Sequence, residues 1–330
     1  MRLLVEKPGM FTTVQDLGRR GFQALGVPVA GAMDSAALRL GNVLVGNEPA
    51  SGNPALEPAG LEITVLGPVL RAEGSGCFAV TGADAMITVN GLSVPSWTAI
   101  RVWDGDEIAV TALRGGARAY FCVSGGVDVP VVMGSRSTYT RGKFGGLDGR
   151  ALAAGDVLTT GTPDLLWEEC EWLTLPEALR PVRDPNAPLR TIPGPQDAGF
   201  TKKGTDAFYT SEYTITNAAD RMGYRMEGAE IEHKAGADII SDAVALGSVQ
   251  VPGHGMPIVM LADRQTTGGY TKIATVCAVD VEALSQRLPG QRVRFEMTTP
   301  KEAVALLRYE EELIAEARRL RATWRSRPHY

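Results

Sequence analysis

Short apolar runs, broken at close intervals by turn-forming residues, restrict this chain to an all-β fold, mainly strands with a few helices. Its 330 residues hold 38 glycines and 20 prolines, spread along the whole length. Residues 61–66, 77–81, 86–89, 99–102, 107–111 and 119–123 are apolar segments of strand length bounded by breakers, and they read as strands. Residues 213–216, 248–251, 257–262, 273–279 and 291–297 read the same way in the second half. Asn90-Gly91 and Asp104-Gly105 suit tight hairpin connections.

Two stretches break the pattern. Residues 35–45 follow Asp34, a good N-cap, and carry apolar positions at helical spacing. Residues 300–324 form the clearest helical pattern: Leu306, Leu313 and Leu320 recur every seven positions, with Leu307, Ile314, Ala317 and Trp324 on nearly the same side. Glu302 and Glu310 to Glu312 precede Arg318, Arg319 and Arg321, an order that suits the helix dipole. Such a stripe needs covering, and docking on its own chain is the expectation. The segment 181–188 has three prolines in eight residues and reads as a linker. The expected division is 1–185, 186–300 and a C-terminal amphipathic helix and tail over 301–330.

A formal net charge of −5 gives no basic footprint for nucleic acid. No apolar run approaches the roughly 18–20 residues that span a bilayer. Glu6, Lys7 and Pro8 leave no room for a secretory apolar core, so the cytoplasm is the expected compartment. Cys77, Cys122, Cys170 and Cys277 lie far apart, without metal or redox spacing, and three of them sit in apolar surroundings as small buried hydrophobes. Only His233, His254 and His329 are present, so no metal site is expected; His254, between two glycines, reads as an exposed turn residue.

Chemistry concentrates after the apolar run 258–262. Asp263-Arg264-Gln265-Thr266-Thr267-Gly268-Gly269-Tyr270 places carboxylate, guanidinium, amide and hydroxyls in what reads as one loop behind a rigid strand. Gly142-Lys143 does not end a nucleotide-binding P-loop, because Phe144 stands where a hydroxyl residue is required. Arg136, Arg141 and Lys143 remain an alternative as an anion cradle or a solvated turn. Ser124 lacks the Gly-x-Ser-x-Gly pattern of a nucleophile and reads as pocket-lining at most. Residues 12–19 form a polar cluster without clear periodicity, and Asp220-Arg221-Met222-Gly223 another; each fits a tied turn or a site equally. Glu57 and Gln250 sit in apolar settings where a polar group needs a partner.

Taken in order, Thr12-Thr-Val-Gln-Asp-Leu-Gly-Arg19, Gly31-Ala-Met-Asp34, Ser124-Gly-Gly-Val-Asp-Val-Pro130, Gly134-Ser-Arg-Ser-Thr-Tyr139, Gly194-Pro-Gln196, Asp220-Arg-Met-Gly223, Gln250-Val-Pro252 and residues 263–270 resemble the allophanate hydrolase subunit 2 family. This family is also called the KipI-antagonist family and includes the C subunit of 5-oxoprolinase. The chain departs from it at Thr271, where proline is common, and at His254.

The resemblance implies two cyclophilin-like β-barrel subdomains and a KipI-like subunit 1 partner. It implies an ATP-dependent 5-oxoprolinase subunit, converting 5-oxoproline to glutamate with a further LamB/YcsF-like subunit and inactive alone. Carboxyl transfer from carboxybiotin on another chain, in a urea amidolyase-like system, is the alternative. Regulatory capture of a KipI-like protein is a third setting. Under the leading reading Arg264, Arg221 and Arg136 supply positive charge to developing negative charge, and Gln265, Gln250 and Thr267 position substrate. Asp263 acts as base or orients a neighbour, and Tyr270 donates a hydrogen bond. Gly268, Gly269, Ser124 and Tyr139 complete the expected substrate contacts. ATP is expected for the assembled complex.

Overall fold

The computed structural model describes residues 1–49, 57–163 and 169–325. The protein is mostly β, with two nearly closed barrel-like sheets and, among the described residues, four α-helices. It divides into two compact units. The first comprises Met1–Arg19, Ala30–Val182 and the chain from Glu310; the second comprises Arg20–Val29 and Arg183–Tyr309.

The first unit contains β1 (Arg2–Lys7), β2 (Phe11–Gln15), α1 (Ser35–Leu44), β3 (Gly60–Thr64), β4 (Val69–Glu73), β5 (Gly76–Val89), β6 (Leu92–Val94), β7 (Ile100–Val102), β8 (Glu107–Val123), β9 (Val127–Asp128) and β10 (Val157–Thr160). The strands run β2-β3-β8-β4-β1-β10-β9, and β5 pairs with β6, β7 and β8. Leu3, Val5, Ile63, Leu70 and Val80 fill the interior around Phe78 and Phe121, whose rings stack at 5.0 Å. The α1 helix covers a second cluster. Asp34 caps it by accepting from the Ala37 N–H at 3.2 Å, and Leu38, Leu40 and Leu44 pack beside Cys77 and Cys122. Those thiols are fully buried, as their apolar context suggested, and burial pushes both pKa values up.

Three expectations need correction in this unit. Segments 77–81 and 86–89 are one strand, β5, and 107–111 and 119–123 are one strand, β8. The apparent break is a bulge: register shifts between Gly82 and Asp84 and between Ala85 and Ile87. Residues 12–15, unreadable by periodicity, lie in β2. Its Thr12, Thr13 and Gln15 are buried because they find partners, Thr12 Oγ1 donating to Pro8 O at 2.7 Å and Gln15 Nε2 to Thr138 O at 3.2 Å.

The second unit contains β11 (Leu189–Pro193), α2 (Lys202–Thr210), β12 (Tyr213–Ile215), β13 (Gly223–Glu227), β14 (Asp238–Ala243), β15 (Ser248–Gln250), β16 (Ile258–Met260), β17 (Thr267–Tyr270), β18 (Lys272–Val276), α3 (Ala278–Ser285), β19 (Arg292–Val293), β20 (Phe295–Met297) and the start of α4 (Pro300–Arg325). Eight strands run β19-β12-β13-β16-β15-β18-β11-β20, while β14 and β17 form a separate two-stranded ribbon. The expected loop 263–270 therefore ends as a strand. Segment 273–279 is also corrected, because β18 stops at Val276 and α3 begins two residues later. That helix buries Asp280, Glu282 and Ser285 along with Val279, Val281 and Leu284, so no amphipathic stripe announces it. Asp280 is held inside by the Arg190 guanidinium, at 2.6 and 2.8 Å.

The α4 helix opens with a capping box: Glu302 accepts from the Thr299 N–H at 3.0 Å, and Thr299 Oγ1 accepts from the Glu302 N–H at 3.2 Å. Its distal half joins the first unit's core, where Ile314 and Ala317 are buried and Arg39 makes a two-pronged pair with Glu311 at 2.6 and 2.7 Å. In the proximal half Val304 and Leu307 stay exposed. The stripe thus docks on its own chain over its distal half, and Leu307 of the proximal half stays uncovered.

Candidate functional site

Two strands of the second unit's sheet set the geometry. Gln250 ends β15 and Lys272 begins β18, and the two are register partners. Cross-strand partners put their side chains on the same face. Both are 2% exposed. Gln250 Oε1 accepts from Gln265 Nε2 at a long 3.4 Å. The β14–β17 ribbon lies against this pair: a Cβ added to Gly268 would sit 2.4 Å from Gln250 Nε2, so a side chain there would push the amide end of Gln250 aside. Asp242, the partner of Gly268 across the ribbon, brings Oδ2 to 3.4 Å from Lys272 Nζ. The carboxyl of Asp242 is held below the usual carboxylate range, first by the Ala243 N–H and then by the Lys272 ammonium. Gln196 Oε1 accepts from the Lys272 N–H at 3.2 Å. The loop carrying Gln196 comes this close because Gly194 has no side chain; a Cβ there would meet Lys272 O at 2.2 Å.

Three polar atoms in this cluster are buried without a hydrogen-bond partner: Gln250 Nε2, Gln265 Oε1 and Lys272 Nζ. Asp242 lies 3.4 Å from Lys272 Nζ, an ion pair whose geometry does not make a hydrogen bond. A buried orphan costs about 1–3 kcal/mol, and folded proteins satisfy nearly all such groups. Two donors and one acceptor are thus left over within this one cluster.

Arg264, next to Gln265, donates from Nε to Val244 O at 3.0 Å and from Nη1 to Leu261 O at 3.1 Å. Among the described residues no carboxylate lies within ion-pair distance of it. Burial, with a smaller contribution from the charge of Arg20, pushes its pKa down to about 10, so it stays cationic at neutral pH. It is a guanidinium fixed by two backbone carbonyls.

Other expected site residues are placed differently. Asp263 and Arg221 form a buried two-pronged pair, both contacts at 3.0 Å, with the Asp263 N–H donating to Arg221 O at 2.9 Å. Asp263 is therefore engaged by an arginine. Thr267 and Tyr270 are exposed on β17, and Gly269 flanks Ile239 O of β14 at 3.5 Å from its would-be Cβ. Three residues belong to the first unit. Ser124 is buried, its Oγ accepting from the Cys77 N–H at 3.2 Å. Arg136 donates to Val129 O at 3.1 Å and pairs with Asp128 at 3.0 Å. Tyr139 meets the Phe144 ring edge-on at 5.5 Å.

The motif residues around them hold loops together. Asp16 accepts from Ser135 Oγ at 2.6 Å, the Arg136 N–H at 2.6 Å and the Gly18 N–H at 2.8 Å. Arg19 is fully buried, donating to Ser137 O with its guanidinium 4.9 Å from the Phe144 ring centre. Asp220 accepts from the Met222 and Gly223 N–H groups at 2.8 and 3.1 Å and ties the turn before β13.

His233 Nε2 sits 3.0 Å from Val251 O and 3.1 Å from Thr271 Oγ1, and its ring lies on Phe200. His254 is an exposed turn residue, as its glycine neighbours indicated. His329 lies outside the described residues. Among those residues no cluster of three metal-ligating side chains occurs, and no helix is long and apolar enough to cross a membrane.

Sequence reasoning passed over Lys272, Asp242 and, as a site residue, Gln196. The available signal was a lysine opening the segment 273–276, since lysine is almost never fully buried unless paired.

Residues 25–297 match the family described as "Carboxyltransferase domain, subdomain A and B". The chain is 37% identical to the C subunit of 5-oxoprolinase from Haemophilus influenzae over 308 residues, 93% of this chain and 95% of that protein. It is 37% identical to the Escherichia coli protein of the same name over 304 residues, 92% of this chain and 93% of that protein. The crystal structure of the K. lactis urea amidolyase superposes with a TM-score of 0.87 at 28% identity, covering 96% of this chain and 20% of that one. With the family match spanning most of its length, the chain belongs to the carboxyltransferase domain family of subdomains A and B.

Proposed function

We propose that this chain is the lactam-recognising subunit of a 5-oxoprolinase-type hydrolase complex. It acts with a KipI-like subunit 1 and a LamB/YcsF-like subunit and is inactive alone. One observation carries the reading: Gln250 Nε2 and Gln265 Oε1 are a buried donor and acceptor, adjacent and unpartnered. An amide edge presents the complementary pair, a carbonyl that accepts and an N–H that donates. Full-length likeness to two proteins named as the C subunit of 5-oxoprolinase supports the lactam as the amide in question.

In the overall reaction the ring C–N bond of 5-oxoproline breaks, water supplies oxygen to the carbonyl carbon, and the nitrogen takes a proton to give glutamate. A lactam carbonyl is a poor electrophile, and ATP supplies the activation when bound to the complex. The residues present fit an anion rather than a nucleotide: Arg264 is a fixed cation without a carboxylate, whereas Gly142-Lys143-Phe144 lacks the hydroxyl of a phosphate-binding loop. Gln250 orients the carbonyl oxygen, Gln265 holds the ring N–H, and Arg264 stabilises negative charge that develops nearby. Asp263 holds Arg221, and through it the turn before β13, instead of moving a proton.

A second reading, carboxyl transfer to urea, is favoured by the fold-level match to the urea amidolyase. Urea presents the same amide edge. Carboxybiotin would then arrive on another chain, because no lysine here stands in an Ala-Met-Lys-Met context.

The test is glutamate release from 5-oxoproline and ATP by the reconstituted complex. Gln250→Leu and Gln265→Leu are each expected to lower kcat/KM at least 100-fold while subunit association persists. Wild-type turnover in both variants overturns the lactam site, and turnover only with a biotinylated carrier and urea replaces it with the second reading.

A further inference from the structure

We infer that Lys272 is the specificity-determining cation of this site, binding a carboxylate carried by the ligand, so that the site takes cyclic amides bearing a carboxylate in preference to neutral amides. The inference rests on the lactam reading and deepens it.

The ammonium of Lys272 is among the most deeply buried charged groups of the protein. Its side chain is 2% exposed and its Nζ has no hydrogen-bond partner. Among the described residues its one ion-pair contact is Asp242, at 3.4 Å. A buried ammonium is strongly penalised unless it is paired at close range and hydrogen-bonded. Asp242 does this poorly, because its own side chain is 51% exposed and belongs to the β14–β17 ribbon. Water screens a half-exposed carboxylate. The Lys272 pairing is therefore incomplete from the protein side.

The position of Lys272 tells what completes it. As register partner of Gln250, its side chain emerges on the face that carries the unpartnered Gln250 Nε2, which is itself linked to Gln265. The cluster offers donor, acceptor and cationic donor. A lactam with a carboxylate on the carbon bonded to its nitrogen offers carbonyl, N–H and anion on one side of the ring. Urea fills the first two roles and leaves the ammonium unpaired. A site built for a neutral amide gains nothing from the third group and bears the cost of burying it.

The experiment compares L-5-oxoproline with 2-pyrrolidinone, the same ring without the carboxylate, by calorimetric titration of the chain assembled with its partner subunits. The wild type is expected to prefer 5-oxoproline at least 30-fold. Lys272→Met should reduce that preference to within about threefold by weakening 5-oxoproline alone, leaving 2-pyrrolidinone unchanged. Asp242→Asn, a change on a half-exposed side chain that removes the competing carboxylate, should tighten 5-oxoproline at least threefold and leave 2-pyrrolidinone unchanged.

Equal weakening of both ligands in Lys272→Met marks a structural lysine and overturns the inference. So does a wild type without preference, or an Asp242→Asn variant that binds 5-oxoproline no more tightly. Should Lys272→Met fail to assemble, the Asp242→Asn comparison decides alone. Glutamate release together with a Lys272→Met variant that still discriminates removes the role of Lys272 and keeps the hydrolase. Lys272-dependent preference for the carboxylated ring without any hydrolysis keeps Lys272 and removes the hydrolase.

Discussion

Asp263 and Glu57 are both buried carboxylates, and their surroundings set them apart. Asp263 grips Arg221 with both oxygens, whereas Glu57 has a 3.7 Å approach from Arg318 and the nearby charge of Arg39 but no such two-pronged partner. Removing one member of a buried pair strands the other, so Asp263→Ala is expected to cost about 3–5 kcal/mol in urea denaturation. A variant with wild-type stability and lost turnover would return Asp263 to the chemistry. For Glu57, burial outweighs the attraction of Arg318 and Arg39 and raises the pKa from 4.5 to about 7. The folded state thus binds this proton more tightly than the unfolded chain. Stability from this group is full below pH 4.5 and is lost as pH rises through about 7. Glu57→Gln should therefore gain on the wild type by about 3 kcal/mol between pH 4.5 and pH 8, read from unfolding curves at each pH. Parallel pH profiles would contradict it. The sequence marked Gln250, Gln265 and Arg264 by their polar company, but not Lys272. Its ion-pair partner Asp242 is thirty positions away, on β14 of the separate two-stranded ribbon, and nothing local in the sequence joins the two.

Among the elements, the β14–β17 ribbon bears most directly on the site. Gly268 is where it meets Gln250, and an added methyl would strike the movable end of that side chain rather than backbone. Gly268→Ala is therefore expected to fold with less than about 1 kcal/mol of loss and to lower kcat/KM at least tenfold by displacing the amide. Unchanged kinetics would detach the ribbon from the site. Strands with apolar runs and turn signals were legible, as were α1 and α4, whose capping residues and periodicity agree. The elements that escaped share a cause, namely tertiary partners that satisfy polar groups. β2 buries threonines and a glutamine, and α3 buries an aspartate and a glutamate. The break inside β5 looked like a turn because a bulge and a turn interrupt alternation alike.

At the scale of the molecule, the first unit is built from three separate pieces of chain, and its core includes Ile314 and Ala317 of α4. Ile314→Asp buries a charge in that cluster. It should cost about 3 kcal/mol or more in thermal or urea unfolding, while Leu307→Asp, on the exposed proximal half, should cost under about 0.5 kcal/mol. Similar losses in both would mean that the two halves of the helix are not distinguished in this way. An all-β chain with a terminal helix was readable from periodicity, but the unit that its last turns complete was not, because that is a long-range contact.

This arrangement sets a schedule for biosynthesis. Residues 183–309 are synthesised before the distal turns of α4, so the later-encoded unit has all its pieces first. The earlier-encoded one must wait, its apolar seat for Ile314 and Ala317 uncovered until those turns of α4 are made.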